Sequence, residues 1–81
     1  MISCNEYDYI EIACMFRYSV RLLLRDDSVF EGIAVDTFTN QQKQECIKLQ
    51  QEEGERLVLL DSLKQLQVLS DNPRFTLVDF A

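Results

Sequence analysis

The segment YSVRLLLRDDSVFEGIAVDTF, residues 18–38, decides the fold that the sequence predicts. Its first part alternates, with Val20 and Leu22 facing one side of an extended chain, and a period of two is typical of a β-strand. Residues 26–28, Asp-Asp-Ser, are turn formers, and a second β-branched and aromatic run follows them. Gly32 in the middle of that run indicates a bulge or a sharp bend. The segment therefore predicts two antiparallel strands joined by a tight turn.

The same kind of pattern continues to the C-terminus, as short apolar or alternating runs separated by polar turns. The predicted strands are ECIKLQQ (45–51), RLVLL (56–60), LKQLQVLS (63–70, as one or two strands) and RFTLVDF (74–80). Many short strands around a small core tend to curl into a bent sheet or a small open barrel, because closure protects the strand edges. The 81 residues have room for a single domain, 1–81.

Before the strands, residues 5–16, NEYDYIEIACMF, are predicted to form the one helix. At 100° per residue its apolar side chains fall on one broad arc, and we expect core positions at Tyr9, Ile10, Ala13, Cys14 and Phe16. Asp8 and Glu11 stand on the opposite side, and Tyr7 lies at the margin between the two. The fold class that follows is mainly β with one N-terminal α-helix and an antiparallel sheet.

The balance of charge argues for a protein partner. The chain has 14 acids and 8 bases, a net charge of −6. Nucleic-acid affinity depends on Lys and Arg that neutralise phosphates, so direct binding of DNA or RNA is not expected. A basic protein surface is the partner that such a charge favours. An alternative for these acids is a solvated helix face, where carboxylates merely favour the first turns. A general acid and base pair would need a cleft and separated pKa values, which an exposed helix does not offer.

Other classes of function find little support in the composition. There is no histidine, which removes the commonest general base and the commonest metal ligand, so we expect no enzyme, no metal and no cofactor. Cys4 and Cys14 are too far apart in sequence for the usual metal-ligand spacing. Three cysteines, no secretory pattern and no long apolar run lead us to expect a reduced cytoplasmic protein without a membrane segment.

Two local patterns carry a resemblance to a known family. The first is Cys4-x-x-Tyr7-Asp8-x-Ile10-Glu11-Ile12-Ala13-Cys14, and the second is Leu22-Leu23-Leu24-Arg25-Asp26-Asp27 followed by Phe30-x-Gly32-x-Ala34. Both resemble blocks of the Rho-binding antiterminator family (Rof). The resemblance is specific over about the first third of the chain and extends to the rest in layout.

That resemblance implies an Sm-like fold and a specific partner. Members bind the transcription termination factor Rho at its N-terminal RNA-binding region, block RNA loading and so inhibit Rho-dependent termination. The family's interface residues carry over to Tyr7, Asp8 and Glu11, with Asn5 and Glu6 as flanking contacts. On this reading the protein acts as a monomer and needs no cofactor.

Two alternatives stay open from the residues. An Sm-like RNA-binding module could use Arg17, Arg21 and Arg25 as a small basic stripe. Such a module should form rings and bind RNA by itself, whereas an inhibitor of Rho should be monomeric and should displace RNA from Rho in a salt-sensitive way. A generic acidic interaction domain with another basic partner is the second alternative.

Overall fold

The computed structural model describes residues 4–71 and 73–80, with side chains from Glu6 onward. Helix α1 spans Cys4–Met15 and is followed by strands β1 Ser19–Leu24, β2 Val29–Thr39, β3 Glu45–Gln51 and β4 Gly54–Leu59. A single 3-10 turn, Leu60–Ser62, leads into β5 Leu63–Val68, and the last strand is β6 Leu77–Asp79. The prediction of a mainly β fold with one N-terminal helix is confirmed.

All six strands belong to one antiparallel sheet, in the order β4-β3-β2-β1-β5-β6. The sheet is open, because the strands at the two ends of this order, β4 and β6, do not pair with each other. β3 has the predicted bounds, and residues 63–70 contribute one strand rather than two. The last strand is shorter than predicted, since residues 74–76 run outside the ladder. The Sm-like assignment stays a prediction.

The β1–β2 hairpin closes at the Asp26-Asp27-Ser28 turn, as the sequence indicates. Asp27 takes a left-handed backbone conformation with φ 69°, which Asp tolerates better than most residues. The Ser28 backbone N–H donates to Asp26 Oδ1 at 3.0 Å. This hydrogen bond holds the pKa of the Asp26 carboxyl below its usual value. The turn sets a register in which Leu22 lies opposite Phe30.

Gly32 serves a different purpose from the predicted bulge. It pairs in register with Val20, and the β2–β3 register shift lies further on, between Ala34 and Asp36. A Cβ atom at Gly32 would stand 2.9 Å from the backbone oxygen of Gln50. The glycine is therefore required by a close approach of β3.

Helix α1 covers one face of the sheet and packs mainly against β2. Its residues Ile10 and Ala13 have no exposed surface. They join a core of buried side chains from the sheet: Val20, Leu22, Ala34, Ile47, Leu49, Leu63 and Leu66 are the fully buried members. Burying one such aliphatic side chain stabilises the fold by about 1.5–3 kcal/mol, so this contact holds the helix firmly on the sheet.

Two residues of the predicted helix that were assigned to the core are not buried, and for these the prediction was wrong. Tyr9 is 41 % exposed and Phe16 is 45 % exposed. The physical reason is that the sheet covers only the middle of the apolar arc, the stripe of Ile10, Ala13 and Cys14. Tyr9 lies at the flank of that stripe and packs its ring against Phe75 instead.

Candidate protein-interaction surface on the N-terminal helix

The outward side of α1 carries a short acidic face, made of Asp8 and Glu11. Both are exposed, and Met15, one further turn along the same side, is 72 % exposed. Residues three and four apart are neighbours on a helix surface, so the two carboxylates lie side by side. Among residues 4–71 and 73–80, neither carboxylate forms an ion pair or a hydrogen bond. The acidic face is therefore free to bind a cationic group from outside.

The other predicted contact residues differ in their surroundings. Tyr7 is half-buried and packs against the core, so its ring is held in place while part of it stays accessible. Glu6 is half-buried and already takes part in an interaction within the protein. The side chain of Asn5 lies outside the described residues. The structure thus brings Tyr7, Asp8 and Glu11 together and gives Glu6 a role inside the fold.

A groove runs beside the acidic face, between α1 and β2, with a volume of about 390 Å³. Its lining is mixed, with Tyr7, Glu11, Cys14 and Met15 from the helix and Val35, Asp36 and Thr37 from the strand. The β2–β3 register shift falls at Val35, next to the position where Asp36 joins the groove. The groove therefore adds a third exposed carboxylate to the acidic face.

Sequence reasoning missed Asp36. Nothing in the local pattern of β2 marks it, because its relation to Glu11 depends on how the helix crosses the strand. One Asp36 oxygen, Oδ1, accepts a hydrogen bond from the backbone N–H of Thr37 at 2.8 Å. This bond orients the carboxylate at the rim of the groove, and only the folded chain reveals it.

The thiol of Cys14 forms part of the groove lining and is expected to react slowly. It is buried, and burial, with a smaller effect from the Asp36 charge, raises its pKa from 9.0 to about 11. Arg17 lowers this pKa and Glu11 raises it, both to a lesser degree. Burial also raises the pKa of Cys46. Since the thiolate is the nucleophile and the metal ligand, Cys14 behaves as a packing residue.

The described acids and cysteines are spread over the molecule. Within residues 4–71 and 73–80, no group of three or more Cys, Asp or Glu side chains stands close enough together to hold a metal ion. The same residues include no helix that is long and apolar enough to cross a membrane.

The arginines proposed as a basic stripe have neighbours of their own. Arg21 Nε donates to Glu31 Oε2 at 2.8 Å, across the β1–β2 ladder. Arg25 Nε donates to the backbone oxygen of Asp61 at 3.1 Å. Arg17 sits in the turn after the helix, with φ 54°. Two of the three are thus engaged within the fold, which weakens the case for a phosphate-binding stripe.

Comparison with solved structures finds a close relative in fold and sequence. The chain is similar to a structure described as YaeO bound to magnesium from Vibrio cholerae O395. The two are 44 % identical with a TM-score of 0.87, and the match covers 93 % of this chain and 97 % of the other. Among curated proteins, no sequence matches the chain.

Comparison with protein families gives a match along nearly the whole chain. Residues 1–80 match the family described as Modulator of Rho-dependent transcription termination (ROF). The resemblance seen in the helix and the first hairpin thus extends over all the strands described above. The chain belongs to the ROF family, the modulators of Rho-dependent transcription termination.

Proposed function

We propose that the protein inhibits Rho by covering the RNA-binding region in the N-terminal part of Rho with its acidic face. RNA then cannot load, and Rho-dependent termination fails. In this proposal the protein is a non-enzymatic, cytoplasmic monomer that acts by occupying the RNA-binding site of Rho. Membership of the ROF family supports Rho as the target.

The observation that carries the proposal is the pair of exposed, unpaired carboxylates of Asp8 and Glu11 on a helix fixed to the sheet. A protein surface that binds RNA must present Lys and Arg to the phosphates. Carboxylates placed on such a surface bind the same cations, and with arginine they form bidentate pairs. Charge alone therefore makes the acidic face a competitor of RNA.

The neighbours of the two carboxylates strengthen this reading. Tyr7 offers a ring that is already held by the core, and tyrosines of this kind are enriched at the centre of interfaces. Asp36 adds negative charge across the groove. With a net charge of −6, the whole molecule is also steered toward a basic partner.

Displacement of labelled RNA from purified Rho tests the proposal. We expect the wild-type protein to displace RNA, and to do so less well as salt rises, because salt screens exposed charges. The double variant Asp8→Lys, Glu11→Lys should lose displacement. The double variant Glu52→Lys, Glu53→Lys changes the net charge equally at the exposed β3–β4 turn and should keep most of it.

Three results would count against the proposal. Equal displacement by the wild type and the helix variant would remove the acidic face from the mechanism. Equal loss in both double variants would reduce the effect to net charge. Binding of RNA by the protein alone, together with a ring-sized mass in solution, would favour an RNA-binding module built on Arg17, Arg21 and Arg25. The pairing of Arg21 with Glu31 argues against that module.

A further inference from the structure

An arginine that lies over an aromatic ring stands on the flank of α1 away from the groove. The guanidinium of Arg74 lies over the ring of Phe16, 4.9 Å from the ring centre. Phe16 in turn is stacked on Tyr18, with 5.7 Å between ring centres and 19° between planes. Phe75 meets Tyr18 edge-on, and Tyr9 meets Phe75 edge-on. We call Tyr9, Phe16 and Arg74, the exposed members of this cluster, the arginine–aromatic patch.

Arg74 is held in position by its surroundings. Its backbone N–H donates to the hydroxyl oxygen of Tyr18 at 2.9 Å, and Tyr18 is buried. No guanidinium N–H of Arg74 donates a hydrogen bond within the described residues, and such N–H groups suit the two oxygens of a carboxylate. The Arg74 side chain is therefore preorganised as a hydrogen-bond donor, and it loses little conformational entropy when it binds an acceptor.

The guanidinium of Arg74 has no acidic partner within residues 4–71 and 73–80. This is notable in a chain with 14 acids and 8 bases, where Arg21 pairs with Glu31 and Lys48 with Glu55. Tyr9 and Phe16 are also more than two-fifths exposed, although rings of this size contribute most when they are covered. An outside group that covered the patch would supply both missing contacts.

The patch and the acidic face lie on different sides of α1 and come nearest to each other at Tyr9 and Asp8, which are both exposed. Tyr9 follows Asp8 directly, and a helix turns by 100° per residue. The backbone N–H of Phe16 donates to the oxygen of Ile12 at 3.1 Å, so Phe16 continues the helical path and lies two turns beyond Tyr9. A partner that docks at the Asp8 edge of the acidic face is therefore placed beside Tyr9, the near edge of the patch.

We infer that the arginine–aromatic patch binds a carboxylate side chain of the protein partner that docks on the acidic face. This inference rests on the proposed function, in which that partner is Rho. The interface is then bipolar, with carboxylates of this chain on partner cations and Arg74 on a partner acid. Two opposite charge contacts fix the orientation of docking, which a single patch of one sign does not.

A phosphate of RNA is the other anion that Arg74 could bind. The neighbouring acids disfavour it, because Asp8 and Glu11 on the same helix repel a chain of phosphates. A single carboxylate on a partner that is otherwise basic meets less repulsion, because it carries one charge and the partner's cations offset it.

The test uses two variants that change the net charge equally, from −6 to −8. The inference predicts that one of them keeps its affinity for Rho and that the other loses affinity. Lys64→Glu alters an exposed residue of β5, and Arg74→Glu alters the patch. If binding to Rho depended on negative charge alone, both variants would bind as well as the wild type or better. We expect Lys64→Glu to do so, and Arg74→Glu to bind about tenfold more weakly.

Two further variants separate a binding role from a structural one. Arg74→Lys keeps the charge and loses the planar fork, so it should recover part of the affinity. Phe16→Leu keeps an apolar side chain and removes the stacking surface, and it should weaken binding in the same direction as Arg74→Glu. Thermal unfolding of each variant should match that of the wild type within a few degrees, since Arg74 and Phe16 are exposed.

Each outcome has a defined meaning. Equal affinity of Arg74→Glu and Lys64→Glu for Rho would overturn the inference and leave the acidic face intact. Loss of RNA binding by Arg74→Glu, in a wild type that binds single-stranded RNA alone, would reassign the patch to phosphate and also overturn it. If the wild type fails to bind Rho, the proposed function fails and the inference falls with it.

Discussion

Glu11 of the helix and Asp36 of the second strand line opposite sides of one groove, although 24 residues of sequence stand between them. Both carboxylates act on the Cys14 thiol, whose pKa each of them raises. We therefore expect Asp36→Lys to weaken binding to Rho about as much as Glu11→Lys, by roughly fivefold or about 1 kcal/mol. Titration of purified Rho measures this. Glu53→Lys, at the exposed β3–β4 turn, serves as the control, and an effect of the same size there would show that Asp36 acts only through net charge.

Ile10 is the largest of the fully buried side chains that attach the helix to the sheet. Ile10→Ala should lower the free energy of unfolding by about 2–5 kcal/mol, because it leaves a cavity under the helix. Met15→Ala, on the exposed side of the same helix, should change it by no more than about 0.5 kcal/mol. Chemical denaturation compares the two, and similar values would mean that the helix contributes little to the core.

The two glycines of the chain should respond differently to added side-chain volume. At Gly32 a Cβ would meet the backbone of Gln50 at 2.9 Å, so Gly32→Ala should cost about 1–3 kcal/mol of stability and Gly32→Val more. Gly54 has φ 131° and open space around it. Alanine and valine there should cost similar amounts, since backbone strain and not volume sets the penalty. The denaturant midpoints of the four variants measure these costs. Equal loss of stability in Gly32→Ala and Gly32→Val would contradict the close approach of the Gln50 backbone to Gly32.

Cys14 should resist alkylation in the folded protein. A thiol with a pKa of about 11 carries about a hundredfold less thiolate at pH 8 than one at 9.0, and burial slows access further. Peptide-level mass spectrometry after iodoacetamide treatment, with and without urea, measures the protection. Rapid labelling of Cys14 in the native state would show that the helix lifts off the sheet.

The same raised pKa has a consequence for stability. Cys14 holds its proton more tightly when folded than when unfolded, so between about pH 9 and 11 the folded state binds more protons. The free energy of unfolding therefore falls as pH rises through that range. Cys14→Ser, if folded, should remove this part of the alkaline loss, which unfolding midpoints at pH 8 and pH 10 would report.

The strands could be predicted from local pattern because alternation and turn residues act over few residues. β3 matches its predicted bounds at both ends, and the turn at Asp26-Asp27-Ser28 closes the first hairpin. The helix was predicted to within one residue at each end. The family resemblance was confirmed along residues 1–80.

What could not be predicted depends on how the elements meet. The apolar arc of the helix gives no measure of how much of it the sheet covers, and for that reason Tyr9 and Phe16 were wrongly assigned to the core. Asp36 reaches the groove only through the packing of β2 under the helix. Arg74 meets Phe16 across a large part of the chain, and no local pattern reports such a contact.

The stack of Arg74 on Phe16 has a bearing on when the protein becomes active during synthesis. The acidic helix leaves the ribosome first, whereas Arg74 is made after five of the six strands. A nascent chain that exposes only the helix carries half of the proposed bipolar surface and has no means of fixing its orientation on a partner. On the interface proposed above, we expect a chain that ends before residue 74 to bind the partner more weakly than the full chain does.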